Sequence, residues 1–296
     1  QGHGVFNPHW RETKNAGFHR MATKSFHQDP HPELPSCFSS RKNMGELLVG
    51  LNPVDGENDF ASDDFDGKSD FSWRPKPLFR SCLSSMVSSN KFGPMMAAEA
   101  DLRGFFTAPR RAFLADGLAY NWTIHRKHIS TFEPILDFIH PIEHLYEVAN
   151  AIEPDRDAAW EQTVGWIEDC WQGNVEEVIG ILKSKQVAIG VPPDDAEETD
   201  PRLILAETIG YLTNNAERMN YPHYRQQGLP MTSCLIESQI KATNHRTKGT
   251  EKFWNDGEQA EAILQVVTSI LSDEDQLSIH FQSRSGSAYN RKTTPK

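Results

Sequence analysis

Two acidic residues and a basic cluster are the side chains of this sequence best suited to chemistry. Asp116 closes the apolar run Ala112 to Ala115 in RRAFLADGLAYNW, and Gly117 follows it. Glu237 stands well over a hundred positions later in LIESQIKATNHRTKG, ahead of Lys241, Asn244, Arg246 and Lys248. Carboxylates are the oxygen ligands that hard cations such as Mg²⁺ or Mn²⁺ prefer, and a pair of such ions can activate an attacking oxygen and stabilise a leaving one at phosphorus. Basic side chains nearby would hold a polyanionic substrate. Only folding could bring the two acids together, and Asp-Gly is also, more plainly, a turn.

A second chemistry is spelled by His140 to His144, HPIEH, which matches the zinc peptidase pattern H-x-x-E-H. That chemistry needs both imidazoles on one helix face with Glu143 activating water. Pro141 and the apolar run before it put His140 at a helix entrance, so the imidazoles are expected to diverge, and structural histidines are the plainer reading. A third reading has no catalysis: a helical interaction module on an α/β scaffold.

The elements that must position these residues follow from periodicity and punctuation. Residues 5–23 read as two short strands joined by a turn at Asn15-Ala16-Gly17. Residues 92–108 are helical in composition and lead into the strand that ends at Asp116. A short helix from Tyr120 and a strand-like run, Pro134 to His140, follow, which gives the alternation of an α/β core. From Ile142 the apolar spacing of three and four is helical. Residues 155–185 read as helix throughout, with Trp160, Trp166 and Trp171 as core ridges, and a helix resumes from Arg202 to Asn214. Thr232 or Ser233 can cap a helix on which Glu237, Lys241, Asn244 and Lys248, spaced four, three and four, share one face.

Composition narrows the classes. The chain has 296 residues, 38% of them hydrophobic, and a net charge of -11, which argues against a polyanion binder along its whole length. The charge is uneven: residues 52–73 carry seven acids against one lysine and read as a solvated loop, whereas Glu237 to Trp254 carries four basic residues against two acids. No apolar run reaches membrane-spanning length. Cys37, Cys82, Cys170 and Cys234 are scattered without a C-x-x-C pair, which fits a reducing cytoplasm.

The series HWRETK, FG-x-x-x-AAEA-x-x-RGFF, AFLADGLAYNW, ILDFIHPIEHLY, CWQG, YLTNNAERMNY, GLP-x-x-S-x-x-IES-x-x-K and KGTEKFW resembles bacterial insertion-sequence transposases of the Kra type. These belong to the DDE superfamily, related to the Mutator-like group, and the likeness runs in order from about Val5 to Leu277. It implies an α/β fold: an RNase H-like mixed sheet with an all-helical insertion before the last catalytic helix. It also implies Asp116 as the second catalytic carboxylate and Glu237 as the third, both metal ligands in a two-metal site for Mg²⁺ or Mn²⁺. Asp137 and His140 become supporting residues. Lys241, Asn244, Arg246 and Lys248 become DNA contacts. Asp116 is preferred to Asp137 as the acid because Asp137 reads as lying inside its apolar run.

In that family the first carboxylate lies on a first, central strand just upstream of the W-R-E-x-K segment, and here only nine residues precede Trp10. The resemblance therefore implies a chain with the central strand and the N-terminal DNA-binding region missing. The expected organisation is a core first part over 1–153, a helical insertion over 154–228, core C-terminal helices over 229–275, and a disordered tail over 276–296. The expected activity of the intact protein is metal-dependent cleavage and strand transfer of element ends. Its partners would be end and target DNA and further copies of itself, with no membrane. A catalytically inactive remnant is the alternative.

Overall fold

The computed structural model describes residues 12–48, 74–232, 242–247, 257–274 and 276–286. The acidic segment 52–73, Glu237, Lys241 and Lys248 lie outside these residues. The fold is mixed α/β, dominated by helices, with two small sheets.

The first sheet pairs β1 (Lys14–Ala22) with β2 (Lys76–Ser85) in antiparallel register, Lys14 opposite Ser85 and Phe18 opposite Ser81. The expected turn at Asn15-Ala16-Gly17 is instead the middle of a nine-residue strand. Alternation decides this: Ala16 and Phe18 are buried on one face, while the side-chain oxygen Asn15 Oδ1 accepts from Ser84 Oγ at 2.7 Å across the ladder. The partner strand β2 was not legible as one, because three of its four buried positions are the serines Ser81, Ser84 and Ser85, with Cys82 the fourth.

A helix closes the far edge of β2. Along α10 (Gly257–Leu271) and the turn after it, Glu261 accepts from Met86 N at 2.8 Å and Gln265 donates to Ser84 O at 2.9 Å. Ser272 Oγ accepts from Cys82 N at 3.0 Å, and Asp273 both accepts from Arg80 N and donates its own N–H to Arg80 O. Backbone groups of alternate β2 residues are thus satisfied by side chains rather than by another strand.

The second sheet is a parallel pair, β3 (Ala112–Ala115) and β4 (Glu133–Leu136). Before it come the short α1 (Ser36–Ser39) and α2 (Arg41–Leu48), then α3 (Ser89–Leu102), which is followed by a short 3-10 turn; between the strands lies α4 (Ala119–His128). The run Pro134 to His140 is strand only as far as Leu136. Asp137 Oδ1 accepts from Ile139 N at 3.1 Å, the chain turns, and α5 (Ile139–Ile152) begins. His140 is therefore inside a helix, which corrects the expectation that it sits in non-helical backbone.

Residues 155–185 form two helices, α6 (Arg156–Trp171) and α7 (Val175–Ile189), interrupted at Gly173. Asp155 starts α6 by accepting from Asp157 N and Ala158 N. Asp200 does the same for α8 (Pro201–Asn215) through Arg202 N, and the short α9 (Tyr221–Gln227) follows. Residues 276–283, placed in the expected tail, are helical (α11, Gln276–Ser283). No described helix is long and apolar enough to cross a membrane.

One continuous core joins β4 to the helical layer: Ile135, Leu136, Phe138, Ile142, Leu182 and Leu205 are all buried in it. Trp166 and Trp171 are buried there too, as their spacing implied. Phe138 meets Trp171 and Tyr221 edge-on at 5.1 and 4.8 Å. Beneath them Arg225 is fully buried, paired with Asp29, stacked 4.2 Å from the Trp171 ring and donating to Trp171 O. That pair ties residues 23–31 across α9. At Gly228, with φ of 63°, a Cβ would stand 2.2 Å from Lys24 O, so no other residue lets that segment come so close.

Candidate functional site

The C-terminal ends of β3 and β4 lie side by side, joined by Asp137 N donating to Ala115 O at 2.9 Å. Each strand is followed directly by an acid. In parallel sheets this edge is where the strands stop and a crevice opens. The reason for preferring Asp116 changes accordingly: Asp137 also stands one residue beyond its strand, and burial is what separates the two. Asp137 is 1% exposed, with Oδ1 used on Ile139 N. Asp116 is half-buried, and among the described residues it has no ion-pair partner.

The Asp116 carboxylate is oriented locally. Its Oδ1 accepts from Leu118 N at 3.0 Å and from Asn121 Nδ2 at 2.8 Å, a turn that launches α4. Gly117 has φ of 93°, and a Cβ there would stand 2.8 Å from the Tyr211 ring. The abrupt Asp-Gly thus has two causes, a left-handed turn and the close approach of a tyrosine. Tyr211 Oη donates to Asp116 O at 3.0 Å, and Trp122 Nε1 donates to Gly117 O at 3.2 Å.

His140 and His144 line the same edge, one turn apart on α5. Burial pulls the His140 pKa down, but the hydrogen bond that Nδ1 donates to Glu143 Oε2 at 3.1 Å and the charges of Asp137, Glu143 and Asp116 outweigh it and leave the pKa raised. Burial holds His144 below its ordinary value, although Glu147 and Glu143 oppose this. Its ring lies 4.0 Å from that of Tyr211. Burial, then the charges of Asp116, Asp137 and Glu143, push the Tyr211 hydroxyl far up, so it stays a donor.

On the opposite wall, Lys14 Nζ stands 5.6 Å from the Tyr120 ring and 3.2 Å from Glu12 Oε2. Burial and the charges of Asp116 and Glu12 raise the Tyr120 pKa.

Of the residues singled out in the sequence, Asp116, Asp137 and His140 come together. Asn244 and Arg246 are in a helical stretch, 242–247, where Arg246 is exposed and donates to Ala242 O at 2.9 Å. Among the described residues, no hydrogen bond or ion pair links either to the three. Glu237, Lys241 and Lys248 lie outside the described residues. Sequence reasoning missed Lys14, Tyr120, Asn121 and Tyr211. Asn121 was within reach, since an Asx turn invites a polar partner a few positions on; Tyr211, 95 positions from Asp116, left no local signal.

Among the described residues no group of three or more His, Cys, Asp and Glu side chains is arranged to hold a metal. Comparisons with family models, with curated proteins and with solved structures find no match.

Proposed function

We propose that this chain belongs to a DNA transposase of the DDE type, with Asp116 and Glu237 as its metal-holding carboxylates. The observation that carries the reading is the position of Asp116: a half-buried acid without a countercharge among the described residues, one position past a parallel strand, beside a second acid and a histidine. The ordered series of motifs from HWRETK to KGTEKFW supports it.

The strand arrangement agrees with an RNase H-like core. The start of β1 meets the end of β3 through Lys14 and Tyr120, and the end of β1 meets the start of β3 where Arg110 Nη2 donates to Thr23 O at 2.9 Å. These two side-chain contacts bring opposite ends of β1 toward opposite ends of the β3 segment, the order antiparallel neighbours would have, while among the described residues β1 pairs only with β2, and β3 only with β4. A central strand parallel to β3 and antiparallel to β1 belongs between them in that fold.

Asp116 offers the oxygen donor that a hard cation prefers, and Mg²⁺ or Mn²⁺, when bound by Asp116 and Glu237, supplies activation of the attacking oxygen and charge stabilisation at phosphorus. Asp137 and His140 support the acid turn from the neighbouring strand end. Lys241, Asn244, Arg246 and Lys248 would hold the DNA backbone, as element ends and target are joined within an assembly of several copies.

The test is Mg²⁺-dependent strand transfer of the element's ends by this protein. Asp116→Asn and Glu237→Gln are each expected to abolish joining; joining at wild-type rate by either variant overturns the assignment. Fe²⁺-directed backbone cleavage of the present chain gives a spatial check, since a shared cation cuts near both positions 116 and 237.

One observation favours a second reading. His140 and His144 share a helix face, as a zinc peptidase requires. Against it, the glutamate that should activate water holds His140, and the His144 ring packs on Tyr211. Stoichiometric zinc, lost on His144→Ala, would carry the peptidase reading.

A further inference from the structure

The side chains around Asp116 divide into those beside it in sequence and those delivered by α8. The second group acts on backbone. Tyr211 Oη donates to the carbonyl of Asp116, and Trp122 Nε1, from α4 but bound to Asn215 of α8, donates to the carbonyl of Gly117. The same indole N–H reaches Asn215 Oδ1 at 3.0 Å, and Asn215 Nδ2 donates to Tyr211 O at 2.9 Å. Asn215 is buried at 2% exposure, so this network is shielded from water. Both carbonyls of the Asp-Gly turn are therefore held by donors tied to one turn of α8. His144 closes the far side of the Tyr211 ring.

We infer that Tyr211 is a positioning residue: its hydroxyl, delivered by the helical layer, fixes the peptide plane that aims the Asp116 carboxylate into the crevice. The role rests on the proposed cation-holding function of Asp116, but the contact is separable from it. A tyrosine that only filled space against Gly117 would be replaceable by phenylalanine. One that positions the acid would not, because a turn of positive φ has little else to resist rotation of that plane. Coupling follows as well, since any shift of α8 against β3 moves the carboxylate.

The experiment compares Tyr211→Phe, Tyr211→Ala and Asp116→Asn in the full 296-residue chain. The Leu118 amide, which donates to Asp116 Oδ1, reports the carboxylate without any metal. In Tyr211→Phe its hydrogen exchange is expected to rise about five- to tenfold, the equivalent of one lost hydrogen bond, with a melting temperature lowered by no more than a few degrees. The affinity for Mn²⁺ that depends on Asp116 is expected to fall by a similar factor. Wild-type exchange at Leu118 in Tyr211→Phe overturns the proposal, as does accelerated exchange with unaltered Mn²⁺ affinity. If Asp116→Asn leaves Mn²⁺ binding intact, the transposase site fails instead, and the Leu118 exchange alone decides for or against the clamp.

Discussion

The ends of β3 and β4 differ in how the same residue is used. Each strand is four residues long, each is followed by aspartate, and each aspartate uses Oδ1 to accept a backbone N–H two positions on. Behind β4 the chain turns into α5 under Phe138, whose N–H donates to Met231 O, and the acid is sealed. Behind β3 a glycine opens the turn and a tyrosine from α8 braces it, and the acid faces outward. Burial commits Asp137 to holding the fold, whereas Asp116 stays half-exposed at the sheet edge.

Removing each acid should break that comparison if it is wrong. Asp137→Ala leaves a buried N–H at Ile139 without its acceptor and a void at the strand junction, and should cost about 3 kcal/mol. Asp116→Ala loses only half-exposed bonds and should cost about 1 kcal/mol. Urea unfolding of the two variants measures the difference, and a larger loss at Asp116 would reverse the assignment. Next in size is Gly117→Ala. It forces a Cβ onto a positive φ and toward the Tyr211 ring, for a cost of about 2 kcal/mol. Tyr211→Ala combined with it should recover part of that loss, because the obstructing ring is gone; strictly additive losses would show that the backbone alone carries the strain.

How much of this was written legibly in the sequence depends on the distance between cause and effect. The strand at 112–115, the acid closing it and the helical run after Arg156 come from short-range patterns, and they stand at the expected places. The turn misread at Asn15-Ala16-Gly17 shows the limit: those residues favour a turn by propensity, yet Phe18 and Ala16 bury and a partner more than fifty positions on draws them into a strand. The edge of β2 was invisible for the same reason, as its hydrogen bonds go to side chains of α10. At the site, the place of Asp116 at its strand end was legible, but the preference over Asp137 rested on a strand end misplaced by the apolar Phe138 and Ile139. Tyr211 could be found only once the chain was folded.

The smallest effect sharpens the comparison from the histidines. His140 faces Asp137, Glu143 and Asp116, and its pKa is raised; His144, one turn on, is packed against Tyr211 and its pKa is lowered. NMR titration of the imidazole C–H resonances should place His140 above 6.5 and His144 below it. The raised group strengthens the fold below pH 6.5, and that contribution disappears as pH climbs through its folded pKa. The lowered group acts in the opposite sense: its contribution is complete above pH 6.5 and is lost as pH falls through its folded pKa. The two offset one another in mild acid. Glu143→Gln removes one of the charges that raise His140 and leaves only a neutral acceptor for its N–H, so burial should bring its titration down toward that of His144. The offset then goes, and stability at pH 5.5 relative to pH 7.5 should fall by about 0.5 to 1 kcal/mol. An unchanged pH profile, with His140 still titrating high, would mean that the acids at the two strand ends hold its proton without Glu143.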